Sequence, residues 1–527
     1  MKPSATEQDL EDFRRWAARR FGLAFEPTRH DFVTRVFLER LAQRNVQASD
    51  YLRALVIAGG NDRECQLLAE QLTVPETYFF RIPEHFQALA EVVLPDRMRV
   101  RAPVRRLRFL SAGCATGEEA YSVAMLLRDR MPELPSWQVQ ILGVDISRAA
   151  LARAVTGRYR DWSLRQTLDS LKERYFRQQG QELVLDDSLR GMVEFQERNL
   201  TDAGADLWNG EPFDAIFCRN VVMYFTPECF AATVERLAGA LVPGGYLFLG
   251  HAETLRGAAH GFRLCQSHET FFYQRREDGR TEPGTPRRLE QSEPPFARLA
   301  PASSPPPVDL SWIDSIQQAS ERISRLTAPG GRAQPVSLGK TETALAAGPA
   351  AGGSAGRVGW SGGMAAILEL VERERFSEAL AELRALPAHL ASDPDARLLH
   401  AVLLSNCGEL AASEALCRQL LEEDDMNAGV HYVMALCREH SGDVTDARKH
   451  DRAAAYLDSS FAMPHLHLGM MARRSGDAEL ARRELATASS LLASEDSSRI
   501  LLFGGGFGRE ALLQMCRKSL TSVGGEA

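Results

Sequence analysis

The sequence predicts an α/β protein built on a doubly wound parallel sheet, preceded by helices and followed by an all-α repeat solenoid. Three observations carry this prediction. Apolar runs at 107–110, 139–144, 192–195, 213–218 and 246–249 alternate with helical stretches, the pattern of strands buried between helices. The first run leads through a loop of small residues, Ser111 to Gly117, directly into a helix starting at Glu118, which is the opening unit of a nucleotide-type binding sheet. Far downstream, Gly408, Gly442 and Gly476 recur at a spacing of 34 residues, the register of a helix–turn–helix repeat.

Composition bounds the possibilities. A chain of 527 residues has room for two to four domains. Its 44% hydrophobic and 25% charged residues are ordinary for a globular protein, and a net charge of −8 argues against a general nucleic-acid binder. No run approaches the roughly 18 apolar residues of a membrane span. The opening MKPSATEQDLEDFRRW has no apolar core and does not read as a signal peptide. Nine cysteines are scattered without a CxxC pair or a Cys/His cluster. Reduced thiols, a cytoplasmic location and no bound metal are expected from that pattern.

Residues 1–74 read as a helical domain. Leu10, Phe13, Trp16 and Ala17 recur at helical spacing, as do Phe32, Val36, Phe37 and Leu41. The second helix, Arg29–Arg44, is expected to show an outer basic face of Arg29, Arg35, Arg40 and Arg44. Two readings of that face are open: a solvated surface, or a dock for an acidic partner. Ser49 and Asp50 are expected to cap a third helix, and Asp62–Leu72 forms a fourth.

Residues 75–276 form the sheet domain. Thr73–Arg81 leaves the helical pattern and sets Phe79 and Phe80 beside Arg81. These are either packing residues beside a surface charge, or a lid that carries Arg81 into a site. Gly113 and Gly117 let the backbone turn and approach a ligand. Asp145 ends the second apolar run, 28 positions after Gly117, where an acid suits the hydroxyls of a ribose. Loop and acid together point to an adenosine-bearing ligand. A polar, hairpin-like insertion at 176–191 precedes the third strand. Pro243-Gly244-Gly245 reads as a turn before the fifth, and Phe262–Cys265 with Thr270–Tyr273 as an antiparallel hairpin at the sheet edge.

Residues 277–360 are rich in Pro, Gly, Ala and Ser and read as a disordered linker. Inside it Trp312, Ile316, Ile323 and Leu326 keep helical spacing, either a docking island or a transient helix. Residues 361–495 hold the repeats. Five residues after each glycine come Ser413, Ala447 and Ala481, and one period before Ser413 lies Ala379. Small residues there let paired helices pack closely, so about four tetratricopeptide-type units are expected, with a concave groove for a protein partner. Residues 496–527 read as a capping segment.

The first 275 residues resemble the CheR-type chemotaxis-receptor methyltransferases, which methylate protein glutamates. The segments that carry the resemblance are Leu72–Arg81 (LTVPETYFFR), Ser111–Ser122 (SAGCATGEEAYS), Asn199-Leu200, Phe213–Phe225 (FDAIFCRNVVMYF) and Gly250-His251-Ala252-Glu253. The resemblance implies a Rossmann-like methyltransferase sheet, S-adenosylmethionine as cofactor, and the cytoplasmic helices of a membrane chemoreceptor as substrate. Thr77 and Arg81 match lid contacts with the cofactor, and Glu118 and Glu119 the acidic pair of which one meets its amino-acid end. Asp145 matches the ribose-binding acid, and Asn199 and Leu200 the pair flanking the adenine. Arg219 and Asn220 match the strand end beside the reacting methyl, and Tyr224 a tyrosine near the acceptor. Arg81 and Tyr224 are therefore the expected catalytic pair, and Gly113 belongs to the cofactor loop. Pro75 departs from the family, which usually carries asparagine there.

The chemistry suits these residue types. A glutamate is already ionised at neutral pH, so alignment and exclusion of water matter more than a strong base. Two other functions stand against this one: a cofactor-sensing scaffold with little activity, and a methyltransferase for another substrate class. Intact Arg81, Asp145, Asn220 and Tyr224 speak against the first. Cys218-Arg219-Asn220-Val221, in place of the Asn-Pro-Pro-aromatic motif of nucleic-acid amino-methylating enzymes, speaks against the second.

Overall fold

The computed structural model describes residues 5–25, 29–57, 63–73, 76–131, 133–204, 206–251, 253–255, 261–277, 360–373 and 375–524. Pro75 and the linker island around Trp312 lie outside the described residues. The chain divides into two units, Met1–Pro294 and Pro295–Ala527.

The first unit opens with helices α1 (Glu7–Phe21), α2 (His30–Arg44), α3 (Ala48–Ile57) and α4 (Arg63–Leu72). Their apolar faces close on one another around Phe13, Phe37, Leu41, Tyr51 and Leu68, with Phe13 and Phe37 stacked at 4.5 Å. Thr6 and Asp9 form a reciprocal capping box at the start of α1, satisfying amides that have no partner within the helix. Helix α3 begins at Ala48, so Ser49 and Asp50 lie in its first turn rather than ahead of it.

The expected outer face of α2 is corrected at Arg40. Its register places it on the apolar stripe with Val33, Val36, Phe37 and Leu41, and it is buried. There its guanidinium donates to both Glu64 carboxylate oxygens at 2.8 and 2.6 Å, while the Tyr51 hydroxyl donates to the same carboxylate at 2.6 Å. A buried guanidinium is tolerated because it is paired. Arg35 and Arg44 remain exposed.

The sheet follows as β1 (Arg106–Ala112), β2 (Gln138–Asp145), β6 (Val193–Glu197), β7 (Phe213–Cys218), β8 (Leu241–Leu249), β9 (Phe262–Ser267) and β10 (Thr270–Arg275), in the order β6-β2-β1-β7-β8-β10-β9. The pairs among the first five strands are parallel, and β10 pairs antiparallel with β8 and β9. This is the predicted doubly wound sheet with its edge hairpin. Helices α5 (Pro83–Ala88) and α6 (Leu94–Arg101) lead into β1; α7 (Glu118–Arg130), α8 (Arg148–Thr156) and α12 (Pro227–Ala240) make crossovers, with the short α9 (Asp169–Tyr175), α10 (Asp187–Arg190) and α11 (Asp206–Asn209) between the last two, and the central strand β7 is buried at every position. Pro243-Gly244-Gly245 is no turn. It lies inside β8, where the register slips between Phe213 and Ala215 and Gly244 takes φ 71°, a bulge that bends the strand. The insertion builds a small separate sheet from β3 (Arg158–Tyr159), β4 (Phe176–Gln179) and β5 (Glu182–Leu185).

The second unit is helical throughout its described part. Helix pairs α13 (Trp360–Glu372) with α14 (Phe376–Arg384), α16 (Pro394–Asn406) with α17 (Leu410–Glu423), α18 (Ala428–His440) with α19 (Val444–Leu457), and α20 (Ala462–Arg474) with α21 (Ala478–Ser494) stack in order. A short turn, α15 (Ala388–Ala391), precedes α16. Gly408, Gly442 and Gly476 hold φ between 78° and 87°, which ends one helix and starts its partner without strain on a Cβ. Ala379, Ser413, Ala447 and Ala481 are fully buried at the crossings, as their spacing predicts. The final helix, α23 (Arg509–Gly524), packs on α21 as a cap. The segment before it, α22 (Ser497–Phe503), instead lies against the first helices of several pairs.

Candidate active site

One cavity gathers the C-terminal ends of β1, β2, β6 and β7. That is where a doubly wound sheet binds ligands, because the strand order reverses there and the loops part. Its lining brings together Thr77, Arg81, Gly113, Glu119, Asp145, Asn199, Leu200, Arg219, Asn220 and Tyr224, residues more than a hundred positions apart in the chain.

The floor is built by the glycine loop. The amides of Gly113 and Cys114 both donate to the Val144 carbonyl, at 2.8 and 3.0 Å, stitching the end of β1 to the end of β2. Gly113 holds φ 76°, and a Cβ there would lie 2.3 Å from Val221 Cγ2. Asp145 accepts one hydrogen bond on each oxygen, from the amides of Ala115 and Ser147, both at 2.8 Å. Burial pushes its carboxyl above the usual carboxylate range, and those amides oppose the rise. A carboxylate oxygen can accept more than one hydrogen bond, so both keep capacity for a ligand's hydroxyls.

The acidic pair at the start of α7 separates. Glu119 lines the cavity, accepts from the Ser111 hydroxyl at 2.6 Å and lies 3.4 Å from Arg219 Nη1. Glu118 is buried away from the lining, where it accepts from the Thr116 hydroxyl at 2.6 Å. Successive helix positions point about 100° apart, so the two carboxylates face different surroundings.

The lid is a strained turn. Phe80 and Ile82, on either side of Arg81, both hold positive φ, 55° and 60°, which is costly for side chains of that bulk. Phe79 anchors it, fully buried edge-on to Tyr159 and Phe176 at 4.8 and 5.2 Å. Of the two open readings, Phe79 is packing and Arg81 lines the cavity. The Arg81 guanidinium donates to the Glu76 carbonyl at 2.9 Å, and its own carbonyl accepts from Arg219. Arg219 is buried, and its Nε and Nη1 lack a hydrogen-bond partner. Burial lowers its pKa and Glu119 raises it. Buried N–H groups without partners are costly, so this arrangement suits a ligand that brings an acceptor.

The helical cluster supplies the opposite wall. Leu23 forms a β-bridge with Phe225, and the Ala24 amide donates to the Tyr224 carbonyl at 2.7 Å. The Asn199 side-chain amide donates to the Arg20 carbonyl at 3.1 Å and its oxygen accepts from Thr201. Asn199 therefore ties α1 to the loop after β6. Phe21, Leu23, Arg29, Leu72 and Arg198 join the lining. Sequence reading missed them as site residues, and Arg29 most of all. In sequence it belongs to a basic helix face, yet its guanidinium lies 5.2 Å from the centre of the Tyr224 ring. Nothing in a period of 3.6 residues could have shown that, because the contact depends on how the cluster seats against β7.

A parallel sheet with an antiparallel edge hairpin, an acid at the end of β2 and a buried arginine–glutamate pair define an enzyme class: methyltransferases that bind a nucleoside amino acid across the strand ends. The model of the CheR methyltransferase SAM-binding domain matches residues 75–271. Chemotaxis protein methyltransferase 2 of Vibrio cholerae is 30% identical over 279 residues, covering 53% of this chain and 96% of that protein. The probable biofilm formation methyltransferase WspC of Pseudomonas putida is 30% identical over 473 residues, covering 89% of this chain and 96% of its own. A solved magnesium protoporphyrin IX methyltransferase from Synechocystis PCC 6803 overlaps at 16% identity and a TM-score of 0.22, too low to bear weight. The chain belongs to the CheR methyltransferase family and is an S-adenosylmethionine-dependent methyltransferase. Asp145, Glu119 and the Arg219 guanidinium, whose Nε has no hydrogen-bond partner, suit that cofactor's ribose, ammonium and carboxylate.

Proposed function

We propose that this protein methylates glutamate side chains on the cytoplasmic helices of a chemoreceptor-like membrane protein, and that its repeat array directs the activity through a protein partner. The observation that carries the reading is the pairing of two arginines, Arg29 and Arg81, with Tyr224 on one cavity. That set suits an acceptor that is itself an anion.

When bound, the cofactor supplies an electrophilic methyl group on a sulfonium. The chain's own residues do the rest. Asp145 holds the ribose, Glu119 and Arg219 the amino-acid end, and Leu200 with Asn199 flanks the adenine. Thr77 and Arg81 close the lid. Arg81, Arg29 and Tyr224 orient the acceptor carboxylate, and Asn220 shapes the wall beside the reacting methyl. No residue has to remove a proton, because the acceptor is ionised at neutral pH. Exposed Arg35 and Arg44 steer a glutamate-rich helix towards the mouth; Arg40 has no part in this.

Incubation with radiolabelled S-adenosylmethionine and membranes from the same cells tests the reading. A labelled membrane protein whose label leaves as methanol in mild alkali is expected, since carboxyl esters hydrolyse there and N-methyl groups do not. Alkali-stable label, or none, overturns it. A second feature favours an output other than motility: the relative named for biofilm formation matches along 89% of this chain, the Vibrio chemotaxis relative along 53%. Deleting the gene should then alter surface growth more than swimming, and the reverse result counts against it.

A further inference from the structure

The concave side of a tetratricopeptide-type array is built from the first helix of each pair and is its usual partner site. Here that side already has an occupant. Leu501 and Leu502 of α22 pack on the cluster containing Ile367, Val371, Leu399 and Leu403, from α13 and α16. The Phe503 ring lies 5.8 Å from Tyr432 of α18 and 5.0 Å from Phe461 at the start of α20. Gly429 makes room for it, since a Cβ there would come within 2.7 Å of the ring. Arg499 adds a polar anchor. It pairs with Asp458 at 2.9 Å and lies over Phe461, 5.1 Å from the ring centre.

Three features mark α22 as a seated ligand rather than as core. It has seven residues, of which only Ile500 is fully buried. It is joined to α23 through Gly504-Gly505-Gly506, where the last two hold φ 60° and 89°. Beside it, a solvent-open cleft of about 370 Å³ runs between Val371, Ile500, Leu501 and Phe507, and Phe507 is half exposed.

We propose that α22 occupies in cis the groove in which this array binds its partner. The partner is a short amphipathic helix presenting an arginine, an aliphatic residue and an aromatic residue at i, i+1 and i+4, the spacing of Arg499, Ile500 and Phe503. Such a helix-in-groove mode reads anchors on one face. The internal segment lowers the apparent affinity by the fraction of chains whose groove is open, so the partner must compete for entry. The repeat array alone carries this inference, which does not depend on the methyltransferase reading.

The test uses the full chain and a fluorescent peptide of residues 495–508, read by anisotropy. The double variant Ile500→Ala/Phe503→Ala should bind the peptide at least tenfold more tightly than the unmodified chain. Adding Gly429→Val, which fills the Phe503 seat, should abolish that gain. S-adenosylmethionine binding and the helical signal should stay unchanged in both. Equal affinity for unmodified and double-variant chains, no binding to either, or a gain that survives Gly429→Val overturns the proposal. So does loss of the array's melting transition in the double variant, which would make α22 part of the core. Dimers of the unmodified chain that exchange the segment would also overturn it, by making a second copy the occupant.

Discussion

Glu253 fixes the shape of the site from 33 positions beyond the residue it holds. Its carboxylate accepts from the amides of Asn220, Val221, Met223 and Gly250, at 2.7, 2.8, 3.1 and 2.6 Å. Asn220 stands at φ 59°, a conformation a non-glycine residue keeps only when held. Glu253→Gln replaces one acceptor oxygen with an N–H donor facing those amides. Turnover should fall by about 100-fold, the scale of a misplacement near 1 Å, while the dissociation constant for S-adenosylmethionine changes less than about threefold. Single-turnover kinetics beside calorimetry separates the two, and equal losses in both would assign Glu253 to cofactor binding. At Asp145 the expectation is opposite. Asp145→Ala should weaken cofactor binding by about 1.5–3 kcal/mol, the value of a hydrogen bond involving a charged group, and calorimetry showing unchanged affinity would remove it from the site. The Asp145 position was legible in sequence, because strand, glycine loop and acid follow one another locally. The work of Glu253 was not: its motif could be quoted, but bonds spanning some thirty residues leave no periodic trace.

At the scale of elements, what the sequence showed follows what has a period. Strands, crossover helices and the 34-residue repeat were all readable, because burial repeats every two, 3.6 or 34 positions. Arg40 shows how charge misleads such a reading. It falls on the same stripe as Val33, Val36, Phe37 and Leu41, so its register said core while its chemistry said surface. Arg40→Ala leaves buried Glu64 with Tyr51 and only the half-exposed Arg44, 3.0 Å away, as partners, and should cost about 3 kcal/mol of stability, the low end of the penalty for a broken buried pair. A urea melt checks this, and a loss below about 1 kcal/mol would return Arg40 to the surface. In the repeats, His467 of α20 lies 2.7 Å from Asp451 of α19 and 2.8 Å from Glu439 of α18. Burial lowers its pKa, but the two carboxylates outweigh this and raise it to about 9. Because the folded value exceeds the unfolded one near 6.5, this stabilisation is complete below about pH 6.5 and is lost as pH rises through about 9. The array's melting temperature should fall across that window, and His467→Gln should flatten the fall. An unchanged slope in the variant would place the effect elsewhere.

For the whole molecule, the cavity decides what catalysis requires. Every described residue on its lining lies between Phe21 and Phe225, inside the first of the two units. The helical cluster is part of that requirement: Leu23 bridges to Phe225, and Arg29 stands over Tyr224. Removing residues before α2 should therefore abolish cofactor binding. None of the described residues of the second unit joins the lining, so a chain ending after Glu277 should bind S-adenosylmethionine with the affinity of the full protein and keep its basal turnover. The cut belongs there rather than a few residues earlier. Arg275 still pairs with Phe262 in the edge hairpin, and the Arg276 amide donates to the Gly261 carbonyl at 2.7 Å. Residues 360–527 should fold alone, since each helix pair buries its apolar face on its neighbours. What the shortened enzyme should lose is choice of target: methylation of membranes from its own cells should fall while cofactor affinity holds. The two readouts separate the possible failures. Unchanged membrane methylation would deny the repeats a targeting role and leave the enzyme reading intact, whereas a shortened chain that precipitates or cannot bind cofactor would make the repeats part of the catalytic body.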